Sequence, residues 1–195
     1  MTAELPVTSF TDAIFSLLGR FGDELKAREA PEHSVKAYIF GGCAVHLYSS
    51  ARVSSDLDLE TMTEALTSVA LREAMEEAGF VLVQKNAEEE PDLLELDLTY
   101  NTTLGPLHED FEERARELEA RSGSPLVVML PAPEDLALSK LARLSEVDVQ
   151  DILTLMSSPH ASWELLEKLT HEVEGYYPAP AGSLTAKLRY VINKR

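Results

Sequence analysis

Tyr38-Ile39-Phe40-Gly41-Gly42-Cys43-Ala44-Val45-His46-Leu47, followed by Ala51-Arg52-Val53-Ser54-Ser55-Asp56-Leu57-Asp58-Leu59-Glu60, is the stretch on which the reading of the fold turns. An apolar run ending in two glycines, a short amphipathic segment and then carboxylates alternating with leucines predict strand, tight turn, helix, strand. A glycine pair at a strand-to-helix turn lets the backbone approach a phosphate and aims helix N-terminal N–H groups at it. Side chains two apart on a strand point the same way, so Asp56 and Asp58 share one face and Leu57 and Leu59 the other. Two carboxylates that close repel unless a cation sits between them, and hard oxygen donors suit Mg²⁺. A phosphate cradle beside a magnesium site implies a nucleotide.

Around that stretch, 195 residues with 45% apolar content suffice for one sizeable core or a core plus a helical appendage, and they exclude a disordered chain. The balance of 17 basic against 34 acidic residues, net charge −17, repels nucleic acid and anionic membrane on average. An RNA partner then requires a local basic patch. A single cysteine excludes an internal disulfide, and the first residues lack a basic region followed by an apolar core. No apolar run reaches membrane-spanning length, so no membrane partner and a cytoplasmic location are expected.

Outward from the glycines, Phe10 to Lys26 carries a helical apolar stripe, capped by Ser9 or Thr8. Val35 to Phe40 reads as the first strand, and a helix runs from the glycine turn to Ser50 before the carboxylate strand. Thr61 to Ala78 has near-helical spacing and stops at Gly79, and Phe80 to Lys85 is strand-like. The acidic loop Glu88-Glu89-Glu90-Pro91-Asp92 leads into Leu93 to Tyr100, where Leu94, Leu96 and Leu98 alternate with Glu95, Asp97 and Thr99. Glu109 to Arg121 is charge-rich and predicted to be an exposed helix broken by Ser122-Gly123-Ser124; Pro125 to Leu130 is a strand. Pro133 opens a helix bearing Lys140 and Arg143 on roughly one face, and Asp148 and Asp151 have the same spacing on the next. Two more helices, His160 to Glu174 and Leu184 to Ile192, close the chain. The division expected is a core over 1–131 and a helical region over 132–195 packed on it.

Gly41-Gly42, the helical interval and Asp56-Leu57-Asp58 together resemble the signature of the polymerase-β-type nucleotidyltransferase fold, which includes tRNA nucleotidyltransferases and antibiotic adenylyltransferases. Arg52-x-Ser54-x-Asp56-x-Asp58, with Lys140-Leu141-x-Arg143 and the following Asp148 and Asp151, is similar to the AbiEii/MenT group of bacterial toxin nucleotidyltransferases. Cys43 stands where serine commonly follows the glycines. The resemblance implies an α+β fold, a mixed sheet flanked by helices with a C-terminal helical region, and an NTP-dependent nucleotidyltransferase. It implies that Asp56, Asp58 and a third carboxylate, Asp97 or else Glu95, hold two Mg²⁺ ions. Gly41, Gly42, Arg52, Ser54, Lys140, Arg143 and Asp148 would hold the nucleotide, with Lys140 also counted as catalytic. It further implies an RNA acceptor, the 3′ end of tRNA, and a neighbouring antitoxin. A kinase-like antitoxin would act through Ser54, whose phosphate would occupy the place of the nucleotide's own.

Each element has a plainer reading. Lys140 can be a surface lysine lying along its helix, and Arg143, Asp148 and Asp151 a helix–helix salt-bridge network. The five histidines show no metal-like clustering and read as structural or surface residues. Trp163 with Leu165, Leu166 and Leu169 reads as core, and Tyr176 and Tyr177 either stack a base or pack a turn. Two rival functions follow: the same chemistry on a small-molecule or protein hydroxyl, which the acidity favours, and a binding protein that keeps the fold without turnover.

Overall fold

The computed structural model describes residues 9–83, 90–103 and 105–195. The Thr8 cap, the Lys85 end of the strand from Phe80 and Glu88-Glu89 of the acidic loop lie outside the described residues. The chain forms two compact units. One runs to Tyr100 and resumes over Arg116–Leu130, and the other comprises Asn101–Ala115 and Pro131–Arg195. The boundary is therefore not a single cut near Pro131, because 101–115 leaves the first unit early.

The first unit opens with α1 (Ser9–Ala27), whose Phe10, Ile14, Leu17, Leu18, Phe21 and Leu25 are all buried, as the helical stripe requires. Strand β1 (Val35–Ile39) leads into α2 (Gly41–Ser49), which ends at Ser50 in the left-handed region with φ 55°. The carboxylate segment then splits into β2 (Asp56–Leu57) and β3 (Leu59–Met62). After α3 (Ser68–Glu77), β4 (Phe80–Val83) and β5 (Asp92–Leu96), the unit is completed by β6 (Arg116–Ala120) and β7 (Leu126–Leu130), for which α4 (Phe111–Arg114) of the other unit intervenes in sequence.

These strands build two sheets. The first has the order β3-β1-β7-β6 and the second β2-β5-β4. β1 lies between β3, antiparallel, and β7, parallel, so both its edges are paired and only Lys36 of its residues is exposed. Asp58 is the residue at which the chain leaves one sheet and joins the other. On either side of it Leu57 pairs with Leu96 and Leu59 with Ile39. Helix α1 packs against α3, β4, β5 and β7, which supplies the apolar cover under both sheets.

Three expectations give way to tertiary pairing. The helix predicted from Thr61 begins only at Ser68, because Thr61 and Met62 are held in the β1 ladder opposite Ala37 and Lys36 and Thr67 supplies the cap, accepting from the Ala70 N–H. The charged segment predicted as helix to Arg121 is strand from Arg116, paired with β7 across an irregularity at Glu117/Glu119. Charges on the last strand of a sheet face water, which masks the strand pattern. The carboxylate stretch, expected as one strand, serves two sheets.

In the second unit α5 (Pro133–Lys140), α6 (Glu146–Met156), α7 (Trp163–Glu174) and α8 (Ser183–Ile192) enclose a core that includes Leu136, Leu138, Ile152, Leu155, Leu166, Leu169, Val173, Leu184 and Val191. Pro133 occupies the first turn of α5, as expected. Helix α5 ends at Lys140, so Arg143 lies in the turn that follows and not on the helix with Lys140. Trp163 is half-buried, with the Arg195 guanidinium over its ring at 5.5 Å. Among the described residues no helix is long and apolar enough to cross a membrane.

Candidate active site

Gly41 adopts φ +59°, and a Cβ built on it would fall 1.6 Å from Oδ2 of Asp58. The carboxylate thus occupies the space a side chain would need, and only glycine fits there. A Cβ on Gly42 would meet Arg52 Nε at 2.8 Å and Ser54 Oγ at 3.0 Å. The two glycines therefore present bare backbone to Asp58 on one side and to Arg52 and Ser54 on the other. Three of the residues singled out in the sequence, Asp58, Arg52 and Ser54, meet around this one turn. Helix α2 starts there without a side-chain cap, and the first-turn N–H groups of a helix have no intrahelical acceptor.

The third carboxylate arrives by sheet register. β5 runs parallel to β2 with Asp56 opposite Glu95, and the N–H of Asp97, one residue past β5, donates to the Leu57 carbonyl at 3.1 Å. Asp97 is thereby set beside Asp58, within hydrogen-bonding reach of its carboxyl. Burial would raise the Asp97 carboxyl; hydrogen bonds from Thr99 Oγ1 and N–H, from the Tyr100 N–H and with Asp58 outweigh it and hold the group below its ordinary value. Asp56 is exposed and accepts from Ser55 Oγ at 3.2 Å. Glu95, the other candidate, is exposed in the middle of β5 and lies opposite Asp56 instead of beside Asp58.

Three residues that sequence reasoning did not place in the site support it. His46 is buried. Its Nδ1 lies 2.7 Å from the Arg52 carbonyl, its Nε2 3.1 Å from Thr11 Oγ1, and its ring meets Phe10 edge-on. Burial lowers its pKa, against the Arg52 carbonyl bond that raises it. The neutral imidazole with Nδ1–H donating fits both contacts, and it ties the Arg52 loop to α1 and α2. Cys43 Sγ donates to the Asp56 carbonyl at 3.3 Å, and burial, with Asp58 and Asp56 adding, pushes its thiol far up. Cys43 is thus a prop for the carboxylate strand. Tyr100 packs against Phe40 at 5.6 Å, and burial, then Asp58, Glu60 and Asp97, keep its phenol protonated. The signal available was proximity in sequence to Asp97, which does not distinguish it from any strand-end tyrosine.

The residues expected from the second unit are engaged within it. Lys140 Nζ bonds Asp151 Oδ2 at 2.8 Å, with both side chains more than nine-tenths buried. Arg143 grips Asp148 through Nε and Nη2 at 2.8 Å each, while Asp148 also accepts from the N–H and Oγ of Ser145 in a capping box that starts α6. Burial opposes the Asp148 charge, but these bonds hold its carboxyl down at about 2. Asp135 takes a two-pronged bond from Arg114. Tyr176 donates to the Leu107 carbonyl at 3.3 Å, in keeping with an aromatic turn packed on its own unit.

Among the described residues no three His, Cys, Asp or Glu side chains converge as a ready-made metal cage. The Asp58–Asp97 pair nonetheless fits a hard divalent cation. Two carboxyls within hydrogen-bonding reach need a proton or a cation between them.

A strand-to-helix glycine turn moulded around Asp58, with Asp97 delivered beside it by sheet register, forms the centre of the candidate site. Residues 18–189 match the family described as nucleotidyltransferase of unknown function (DUF6036), and the chain belongs to that family. None of the curated proteins compared with the chain matches it.

Proposed function

We propose that the chain is a magnesium-dependent enzyme that transfers a nucleoside monophosphate from an NTP to an acceptor hydroxyl. The carrying observation is the turn at Gly41 and Gly42, whose missing side chains bring Asp58, Arg52 and Ser54 onto one piece of backbone. Asp56, Asp58 and Asp97 would hold the metal, which when bound lowers the charge on the phosphates and polarises the attacking hydroxyl. The α2 N–H groups, Arg52 and Ser54 bind the triphosphate, and His46 keeps Arg52's loop in place. The hydroxyl oxygen attacks the α-phosphorus, the bond to the β-bridging oxygen breaks, and pyrophosphate leaves with the electron pair. The proton passes to a carboxylate of the Asp58–Asp97 pair and on to water. Resemblance to the AbiEii/MenT group supports a toxin acting on the 3′ end of tRNA, opposed by an antitoxin that could modify Ser54.

A second acceptor class is favoured by a specific observation. Asp56 and Glu95 are exposed neighbours on the β2–β5 face, in a chain of net charge −17, and this surface attracts cationic acceptors and not a polyanion. The test is Asp58→Asn with α-labelled NTPs, Mg²⁺ and total tRNA, a protein mixture and an aminoglycoside as acceptors. Transfer should fall at least about a hundredfold with the fold intact, since a carboxylate that would hold the metal is removed. Unchanged transfer would remove Asp58 from the chemistry.

A further inference from the structure

The outward face of the sheet β2-β5-β4 carries two kinds of residue in continuous rows. Asp56, Glu95 and Phe80 stand opposite one another across the three strands, and Leu93 stands opposite Leu82 in the next row. Residues paired across a sheet share a face, and Leu57, Leu94 and Leu96 on the other face are buried. The apolar members of the outward face are open to solvent: Phe80 is 48% exposed, Leu82 60% and Leu93 38%. With strands spaced about 4.8 Å apart, Phe80 lies about 10 Å from Asp56 along the row. Asp97, two residues beyond Glu95, continues that face to the Asp58 carboxyl.

Solitary exposed apolar side chains are ordinary, whereas three contiguous ones beside a reactive centre mark a surface that something covers. The charge and the backbone say what. The acids nearest the apolar patch on this face are Glu95 and Asp56, which favour a positively charged occupant. The sheet order ends at β4, whose Phe80 carbonyl already accepts from the Arg20 guanidinium, so the occupant is one that lies across the face of the sheet and not a further strand at its edge. Nucleic acid meets the wrong charge here, and a small amine is too short to reach from Phe80 to Asp97.

We propose that this face docks the acceptor of the reaction and that the acceptor is a polypeptide, an extended segment with an apolar side chain on Phe80, Leu82 and Leu93, a lysine or arginine against Glu95, and a serine, threonine or tyrosine hydroxyl delivered to Asp58 and Asp97. The proposal rests on the transfer reading above. The step joins the hydroxyl oxygen to the α-phosphorus, expels pyrophosphate with the electron pair of the broken P–O bond and hands the hydroxyl proton to a carboxylate.

The test uses the full chain, Mg²⁺, the four α-labelled NTPs and a peptide library with one fixed hydroxyl residue and varied neighbours, with total tRNA and an aminoglycoside in parallel. Label is expected on peptides rich in Lys or Arg and an apolar residue. In Leu82→Glu and in Phe80→Ser the label should drop at least tenfold while Mg·NTP binding, measured by calorimetry, stays within twofold. Glu95→Lys should turn the library preference from basic to acidic neighbours. Peptide labelling that is indifferent to all three substitutions overturns the docking face. NTP binding with label only on tRNA or the aminoglycoside overturns the polypeptide acceptor and leaves the transfer reading standing; neither NTP binding nor label on any acceptor overturns both.

Discussion

The fully buried acids among the described residues, Glu134, Asp135, Asp148 and Asp151, all lie in the second unit, and each is met there by a fixed donor: the Ser162 N–H, Arg114, Arg143 and Lys140. In the first unit the acids of the candidate site, Asp56, Asp58 and Asp97, stay partly open to water, and Asp58 and Asp97 adjoin one another. The same chemical group does two jobs. Taken out of water, a carboxylate needs its countercharge built in, because desolvation costs several kcal/mol per ion. Kept at the water's edge among other acids, it is matched to a cation that arrives with the substrate.

The largest effect that would break this contrast concerns stability. Asp151→Ala leaves the Lys140 ammonium buried without its carboxylate and should lower unfolding free energy by about 3–5 kcal/mol in urea titration, with Lys140→Met/Asp151→Leu recovering most of it. Asp97→Asn should shift stability by less than about 1 kcal/mol while abolishing transfer. If the two substitutions cost the same, the acids of the two units are not differently employed.

Next in size is Gly41→Ala, which combines a left-handed φ with displacement of the Asp58 carboxylate. A loss of about 1–3 kcal/mol is expected together with loss of transfer. Gly123, also at positive φ but with nothing within 4 Å of the place a methyl group would take, provides the control. Gly123→Ala should cost about 1 kcal/mol and leave transfer unchanged.

The smallest effect is a pH dependence in the second unit. The folded Asp148 carboxyl sits at about 2 against an ordinary 3.8, so its stabilisation is complete above the ordinary value and is lost as pH falls from about 4 towards 2. With Arg143 73% exposed and screened by solvent, the loss should be on the order of 1–2 kcal/mol, and Asp148→Asn should flatten that part of the stability–pH curve.

The sequence reading succeeds where local pattern and chemistry coincide. Val35 to Ile39 is uniformly apolar but for Lys36 because both its edges are paired, and Gly41-Gly42 precedes Asp56-x-Asp58 because a side chain at Gly41 would collide with Asp58. It fails where a distant strand decides. Arg116 to Ala120 is charged enough to pass for an exposed helix and becomes strand only through the ladder with β7, and Thr61-Met62 is drawn from a helical pattern into the ladder with β1. Burial of Lys140 against Asp151 is equally invisible, since an i, i+3 pattern of charges does not say which side faces the core. His46 gives no signal either, because a lone histidine on an apolar helix carries no hint that its ring will hold the carbonyl of Arg52.

The parallel pairing of Val35 with Leu126 has a consequence for how the protein is made. On the ribosome the strand ending in the glycine turn must wait for β7, nearly the whole first unit later, before both its edges are satisfied, and such distant pairings close slowly. By then Asn101–Ala115 has emerged, but Asp135, the partner of Arg114, has not. The two units are therefore interleaved in the order of synthesis. A fragment stopped at Leu130 would contain every residue of the glycine–carboxylate site and still carry the Asn101–Ala115 segment, whose Arg114 is without the Asp135 carboxylate that it binds in the full chain.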